Sequence, residues 1–364
     1  MRTLEELVSL DTPSDDPAAV ARALDVVEER MRGLGAQCAR FGAGDILQAD
    51  LAGAGSAKVL LLGHMDTVFG HGEAVRRPFR IEGERAFGPG VADMKGGLAL
   101  AMHVVKVLQA VGSPYKNLRL LVTGDEEMGA VRSRDVIAEA ARGCDAALVL
   151  EPGRPGGEIV SARKGVGHFV LTARGRAAHA GVDPERGRSA VTEIARRIVA
   201  ISDLGGQLPG ATFNVGVAQG GSRANVVAEE ARCEIDVRVL RAHDAEIALE
   251  LLRRSALRAT DQDVQLELSG EFSSPPMEKG AGTERLLRHA RDAAQELGIE
   301  LKDILTGGGS DGNRLAQAGV PVLDALGPVG GRAHSAEEYI ELPSLPLRGA
   351  LLASLIARVD AAAR

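Results

Sequence analysis

In the stretch LRLLVTGDEEMGA, residues 118–130, an apolar run leads straight into Asp125, Glu126 and Glu127. Adjacent carboxylates repel one another unless a cation lies near them. Either the chain emerges into water there, or it delivers two glutamates with different tasks to one place. Other polar residues sit at comparable junctions. AKVLLLGHMD runs apolar into His64, Met65 and Asp66, and CDAALVLEP into Glu151. Asp93 lies in the Gly-rich segment FGPGVADMKGG ahead of a helical pattern, and His334 lies in GPVGGRAHSAEEY. Singly, each has an ordinary reading: a hydrogen-bonded half-buried histidine, a solvated acidic tip, an aspartate capping a helix. Jointly they collect two imidazoles and at least four carboxylates along one sheet edge. So many carboxylates in one cleft need a divalent cation.

Histidine and carboxylate donors suit zinc, with cobalt or manganese as alternatives. The set suffices for two ions. His64 and Glu127 can hold the first, Glu151 and His334 the second, and Asp93 can bridge through its two oxygens, leaving room for a water. Glu126 is then free to take a proton from that water as general base. Asp66, two residues beyond His64, points to the same side of an extended strand. It can accept the other ring N–H of His64 and so fix its tautomer.

These residues need a sheet whose strands end together. AKVLLLGHMD, NLRLLVTGDEE and CDAALVLEP are continuous apolar runs of the kind found in buried parallel strands,. They alternate with helical patterns in MKGGLALAMHVVKVLQAVG and VRSRDVIAEAARG, after the earlier helical segments TLEELVSL and DPAAVARALDVVEERMRGLG. The predicted fold class is α/β, a mostly parallel sheet flanked by helices, where sites form at the strands' carboxyl ends. Beyond Glu151 the rhythm changes. EIVSARKGVGHFVLTARG alternates like antiparallel strands, a helix follows in GRSAVTEIARRIVAISDL, and ATFNVGVAQGG with AEEARCEIDVRVL reads as a hairpin. A helix near 243–258 and the strand DVQLELSG complete a small α+β unit. From SPPMEKG onward the α/β rhythm resumes, so residues 164–274 form an inserted unit within a larger domain of residues 1–163 and 275–364,.

The 364 residues exceed one ordinary core, in keeping with two domains,. A net charge of −7, with no basic stripe interleaved with aromatics, argues against a nucleic-acid partner,. Cys38, Cys144 and Cys233 form no CxxC and read as reduced thiols of a cytoplasmic protein,. No uninterrupted apolar run is long enough to span a membrane, and the N-terminus has no apolar leader. His103 is read as a packing residue of a helix, and His71, His168, His243 and His289 as surface residues.

The motifs GHMDTV, GPGVADMKGG, TGDEEMG, LEPG, GRAAHAG, TGGGSD and AHSAEEY resemble, in order and spacing, those of the di-zinc metallopeptidase family. That family includes glutamate carboxypeptidase, acetylornithine deacetylase, succinyl-diaminopimelate desuccinylase and aminoacylase. The resemblance covers nearly the whole chain and implies the same metal and base assignments. It further implies that the inserted domain is a lid that also forms a homodimer interface. His179 in GRAAHAGVDPE matches a lid histidine that reaches the partner subunit's active site and stabilises the oxyanion,. Asn225 and Arg238 match lid residues that hold substrate, Arg238 through its free carboxylate. Gly309 matches a loop whose backbone approaches substrate.

Glu151 points towards the glutamate carboxypeptidase and desuccinylase branch, and TGGGSD and LGPVGGRAHSAEEY resemble glutamate carboxypeptidase most. Glutamate-specific relatives carry further cations for a second carboxylate, whereas Ile159 and Glu271 occupy the comparable stretches here, with Arg163 and Lys164 as candidate substitutes. The expected activity is hydrolysis of an amide next to a free carboxylate, in a small-molecule N-acyl amino acid or a short peptide. Two alternatives stand beside it: a biosynthetic deacylase for N-acetylornithine or N-succinyl-diaminopimelate, and a non-catalytic binding protein on the same scaffold.

Overall fold

The computed structural model describes residues 1–363, which divide into two units. The first comprises Met1–Ala162, Met277–Thr306 and Ser310–Arg364. Its centre is a six-stranded sheet in the order Gln37–Phe41, Ile46–Ala52, Asn117–Thr123, Lys58–His64, Ala146–Val149, Val322–Leu323. Lys58–His64 runs parallel to Asn117–Thr123 on one side and to Ala146–Val149 on the other. Val322–Leu323 extends the parallel part. The first two strands are antiparallel and were not evident from periodicity.

The apolar runs are explained by burial on both faces. Val59 and Leu61 join Leu118 and Leu120 in the larger core, against helices Arg2–Val8, Pro17–Gly33, Gly96–Ala110, Ala281–Glu296 and Ser344–Ala362. Leu60 and Leu62 join Leu121, Ala147 and Val149 on the opposite face, against Arg134–Ala141 and Gly312–Gln317. The helix starting at Pro17 opens as the Asp-Pro signature implies, with the Asp16 carboxylate accepting from Ala18 and Ala19 N–H at 3.0 Å each,. A second, four-stranded sheet (Gly330–Gly331, Tyr339–Glu341, Arg85–Phe87, Arg80–Glu82) carries the loop that contains His334.

The second unit comprises Arg163–Pro276 together with Gly307–Gly309. Its antiparallel sheet has the order Thr212–Gly220, Glu230–Val239, Gly165–Arg174, Gln265–Ser274. Alternate residues Phe169, Leu171, Ala173, Ile235 and Val237 pack with Ile194, Ile201, Ala248 and Leu252 of helices Ala190–Ser202 and Ala242–Ala256. The division departs by one or two residues from the joins read in the sequence, and it draws in Gly307–Gly309. The cause is local: Arg163 donates to the Gly308 and Gly309 carbonyls at 3.1 and 3.2 Å, and Arg238 to that of Gly307 at 3.3 Å. Ile159–Arg163 does not alternate either. It is buried throughout and pairs with Asp303–Thr306. No helix among the described residues is long and apolar enough to cross a membrane.

Candidate metal centre and active site

His64 is the last residue of its strand, opposite Thr123 of the neighbour, while Leu62 lies opposite Val149 on the other side. The three parallel strands therefore end nearly level. Glu126 and Glu127 follow one end within a single helical turn, Glu126–Met128, and Glu151 follows another. Asp93 sits in the turn Val91–Lys95 that leads into helix Gly96–Ala110. His334 holds a left-handed backbone (φ 63°), as does Arg332 (φ 58°), a conformation that non-glycine residues seldom adopt,.

The structure brings the five predicted ligands together. Asp93 divides its carboxylate: Oδ1 lies 3.0 Å from His64 Nε2 and Oδ2 lies 3.3 Å from His334 Nε2. Glu127 Oε1 is 3.1 Å from His334 Nε2, and Glu151 Oε1 is 3.7 Å from His64 Nε2. Sequence reading paired His64 with Glu127 and Glu151 with His334. The nearest approaches cross those pairs, because Glu151 leaves a strand adjacent to that of His64 while the His334 loop reaches Glu127. Glu127 remains near both, since ligand atoms of His64, Asp93 and Glu127 lie within 4.8 Å of one another.

The strand ends at His64, so Asp66 reaches the His64 ring from the loop beyond it rather than by strand alternation. The nearest partner of His64 Nδ1 is the Asp66 main-chain carbonyl at 2.9 Å, with the carboxylate Oδ1 at 3.4 Å. A carbonyl only accepts, so Nδ1 carries the proton and Nε2 is left towards Asp93. The buried Asp66 carboxylate accepts from Glu126 and Glu127 N–H at 3.2 Å each and from Ser14 Oγ–H at 2.8 Å. It thus fixes the turn that carries both glutamates.

Burial and the neighbouring charges shift the titration of this cluster. Burial alone would lower the His64 pKa, but Asp66 and Asp93 hold it well above its ordinary value. His334 is pushed up to about 9 by its bond to Asp93, against burial and with help from Glu127. Burial raises Glu126 well above the carboxylate range, and the charges of Glu151, Asp311 and Asp93 push the same way. Burial raises Glu127 too, with Asp93 adding to it. Two imidazoles pushed up beside an Asp93 carboxyl that they hold low, with Glu126 and Glu127 raised by burial, mark a place where cations belong,. The donor set, two imidazoles and three carboxylates with one carboxylate between the imidazoles, fits a pair of divalent ions.

The remaining predicted residues belong to the second unit. His179 is exposed, and its Nδ1 accepts from Gly181 N–H at 3.1 Å, so the ring proton lies on Nε2, which is left as a donor,. The Asn225 main-chain carbonyl accepts from Ala180 N–H at 3.0 Å, joining the two predicted segments. Arg238 is already engaged: Nε and Nη2 meet Asp236 at 2.8 and 2.9 Å, and Nη1 meets the Gly307 carbonyl. Arg163 is buried on the carbonyls of Gly308 and of Gly309. A methyl group at Gly309 would come within 3.3 Å of Val166.

Sequence reasoning missed several groups. Glu338 accepts from Gly90, Ala92 and Asp93 N–H at 2.8 Å each. Asp311, raised to about 7 by burial, accepts from Thr123 Oγ1–H at 2.9 Å. Ser14 supports Asp66 from near the N-terminus. No local signal separates Glu338 from its exposed neighbour Glu337; the TGGGSD motif could have pointed to Asp311.

The sequence profile of peptidase family M20/M25/M40 matches residues 60–358. Carboxypeptidase G2 of Pseudomonas sp. (strain RS-16) is 32% identical over 368 residues, covering 98% of this chain and 88% of that protein. Succinyl-diaminopimelate desuccinylase of Maricaulis maris is 30% identical over 345 residues, covering 89% of this chain and 87% of that protein. Among solved structures, an M20 family metallo-carboxypeptidase from Sulfolobus solfataricus shares the fold with a TM-score of 0.81, at 18% identity and 99% coverage of both chains.

Proposed function

The chain belongs to peptidase family M20/M25/M40 and is a hydrolase of amide bonds; on that premise we propose that it cleaves an amide next to a free carboxylate, as a carboxypeptidase or N-acyl-amino-acid deacylase. Family membership sets aside the non-catalytic alternative. The observation that carries the proposal is Asp93, whose two oxygens face two different imidazoles beside a half-buried Glu126 whose carboxyl desolvation pushes up.

His64 and Glu151 would hold one divalent ion, His334 and Glu127 the other, and Asp93 would serve both; zinc is the first choice, with cobalt or manganese possible. When bound, such a pair acidifies water and polarises a carbonyl. Glu126 takes the proton of the attacking water and returns it to the leaving amine, which requires a carboxylate poised to hold a proton near neutral pH. Burial supplies that tendency in Glu126. Asp66 keeps the base in place through the Glu126 and Glu127 N–H groups. His179, with its proton on Nε2, donates to the oxyanion from the partner of a homodimer. Asn225 and the Gly309 backbone would hold the substrate, the roles implied by the family motifs they match. Arg238 meets the substrate carboxylate only by sharing or exchanging its bond to Asp236.

Chelated protein should lose amide hydrolysis and regain it with zinc or cobalt. A panel of N-acyl amino acids and dipeptides, each with free and amidated carboxyl termini, tests the carboxylate requirement. Equal turnover of the amidated compounds overturns it. The similarity to a succinyl-diaminopimelate desuccinylase favours a second reading, a biosynthetic deacylase. Faster hydrolysis of N-succinyl-diaminopimelate or N-acetylornithine than of acyl-glutamates and dipeptides decides for it.

A further inference from the structure

Glu338 is 1% exposed and stands four residues after His334, just before strand Tyr339–Glu341. Its neighbour Glu337 faces outward and pairs with Arg332. Burying a carboxylate is costly unless partners replace its water. The partners here are three main-chain donors of one turn: Gly90 N–H to Oε2, and Ala92 and Asp93 N–H to Oε1, all at 2.8 Å. The turn is tight, with Gly90 in the left-handed region at φ 73°. Lys95, also buried, offsets the charge at longer range while its Nζ donates to the Leu10 carbonyl at 2.7 Å. One carboxylate thus ties the His334 loop to the peptide that carries Asp93.

We propose that Glu338 is a positioning residue for the metal centre: by anchoring the Gly90–Asp93 main chain to the His334 loop, it sets the spacing at which Asp93 meets His64 and His334. This rests on the reading of those residues as ligands of two divalent ions. Glu338 touches neither the ions nor the substrate, and acts through Asp93. The backbone N–H groups of Ala92 and Asp93 converge on a single oxygen, so small displacements of that oxygen rotate the Asp93 carboxylate out of register with one imidazole.

The test is Glu338→Gln. The amide keeps the shape but turns one acceptor into an NH2 donor, so one or two of the three N–H groups lose their partner. Metal affinity, read by titrating chelated protein with Co(II) and following its visible absorption and the bound metal per chain, should fall by roughly 10- to 100-fold for at least one ion. The Co(II) spectrum should change in shape, and kcat should fall while KM moves little. Glu338→Asp keeps the charge but shortens the reach, and should also weaken binding. Wild-type affinity and spectrum in either variant that folds overturn the proposal. If neither folds even with metal, Glu338 is a determinant of the fold and the positioning role is likewise overturned. A wild-type protein that binds no metal sinks the metal centre itself, a separate outcome.

Discussion

Glu126 and Glu127 share one turn and one anchor, yet their side chains serve different neighbours. Glu127 reaches His334 at 3.1 Å, whereas Glu126 is pushed up by desolvation, with the charges of Glu151, Asp311 and Asp93 acting the same way. Glu126→Gln should therefore leave two metal ions per chain, measured by elemental analysis, while lowering kcat by at least about 10²-fold. Loss of metal in that variant would assign it a ligand role instead. His64 shows the complementary logic: its proton is fixed on Nδ1 by a carbonyl, and a second proton is held at Nε2 by Asp93. If His64 and His334 are ligands, as proposed, a cation must displace that second proton and the one on His334, since ligands bind metal deprotonated. Zinc binding to chelated protein at pH 7 should release protons, detected as a dependence of the calorimetric heat on buffer ionisation enthalpy. No net release would contradict the protonated state of the imidazoles.

Among the elements, parallel strands do the gathering, because level strand ends bring residues distant in sequence to one edge. Helix Gly96–Ala110 must pack closely for this to hold. A Cβ at Gly97 would collide with the Leu150 carbonyl, the residue immediately before Glu151. A backbone oxygen cannot step aside as a flexible side chain would. Gly97→Ala should cost about 1–3 kcal/mol by denaturant titration and weaken metal binding as Glu151 moves. Stability and metal affinity both equal to wild type would show the contact to be slack. In the second unit, the bond from Gly181 N–H to His179 Nδ1 needs only a short loop, so this residue's donor tautomer is a local property.

Strand Thr212–Gly220 is an edge with mostly exposed residues, a surface suited to pairing with a second copy,. If the lid forms a homodimer whose sites are shared, mixing inactive Glu126→Gln with inactive His179→Ala should restore part of the activity after subunit exchange. No recovery with exchange verified argues for self-contained sites. The metal-free protein should also lose stability as pH rises. Groups raised on folding bind more protons in the native state than unfolded, so their contribution is complete below the unfolded pKa and lost through the folded one. For His334 that window runs from 6.5 to about 9. Glu126, Asp311 and Glu338, raised by burial, act in the same direction from lower pH. Thermal midpoints of chelated protein should therefore fall from pH 6 to 9, and zinc should flatten the profile.

The sequence by itself determined the α/β core, because runs such as KVLLLGH are legible wherever a strand is buried on both faces. It also singled out His64, Asp93, Glu127, Glu151 and His334, since chemistry restricts which residue types can bind a divalent ion. Only the tertiary structure decided which of them are neighbours: Glu151 beside His64, His334 beside Glu127, and Asp93 between the imidazoles. Only it showed that Arg238 is engaged by Asp236 and that Glu338 anchors the Asp93 turn. The physical reason is that periodicity and ligand chemistry are local, carried by a few consecutive residues or by one side chain. Pairing across the molecule depends on strand order and loop approach, and no local run of residues encodes these.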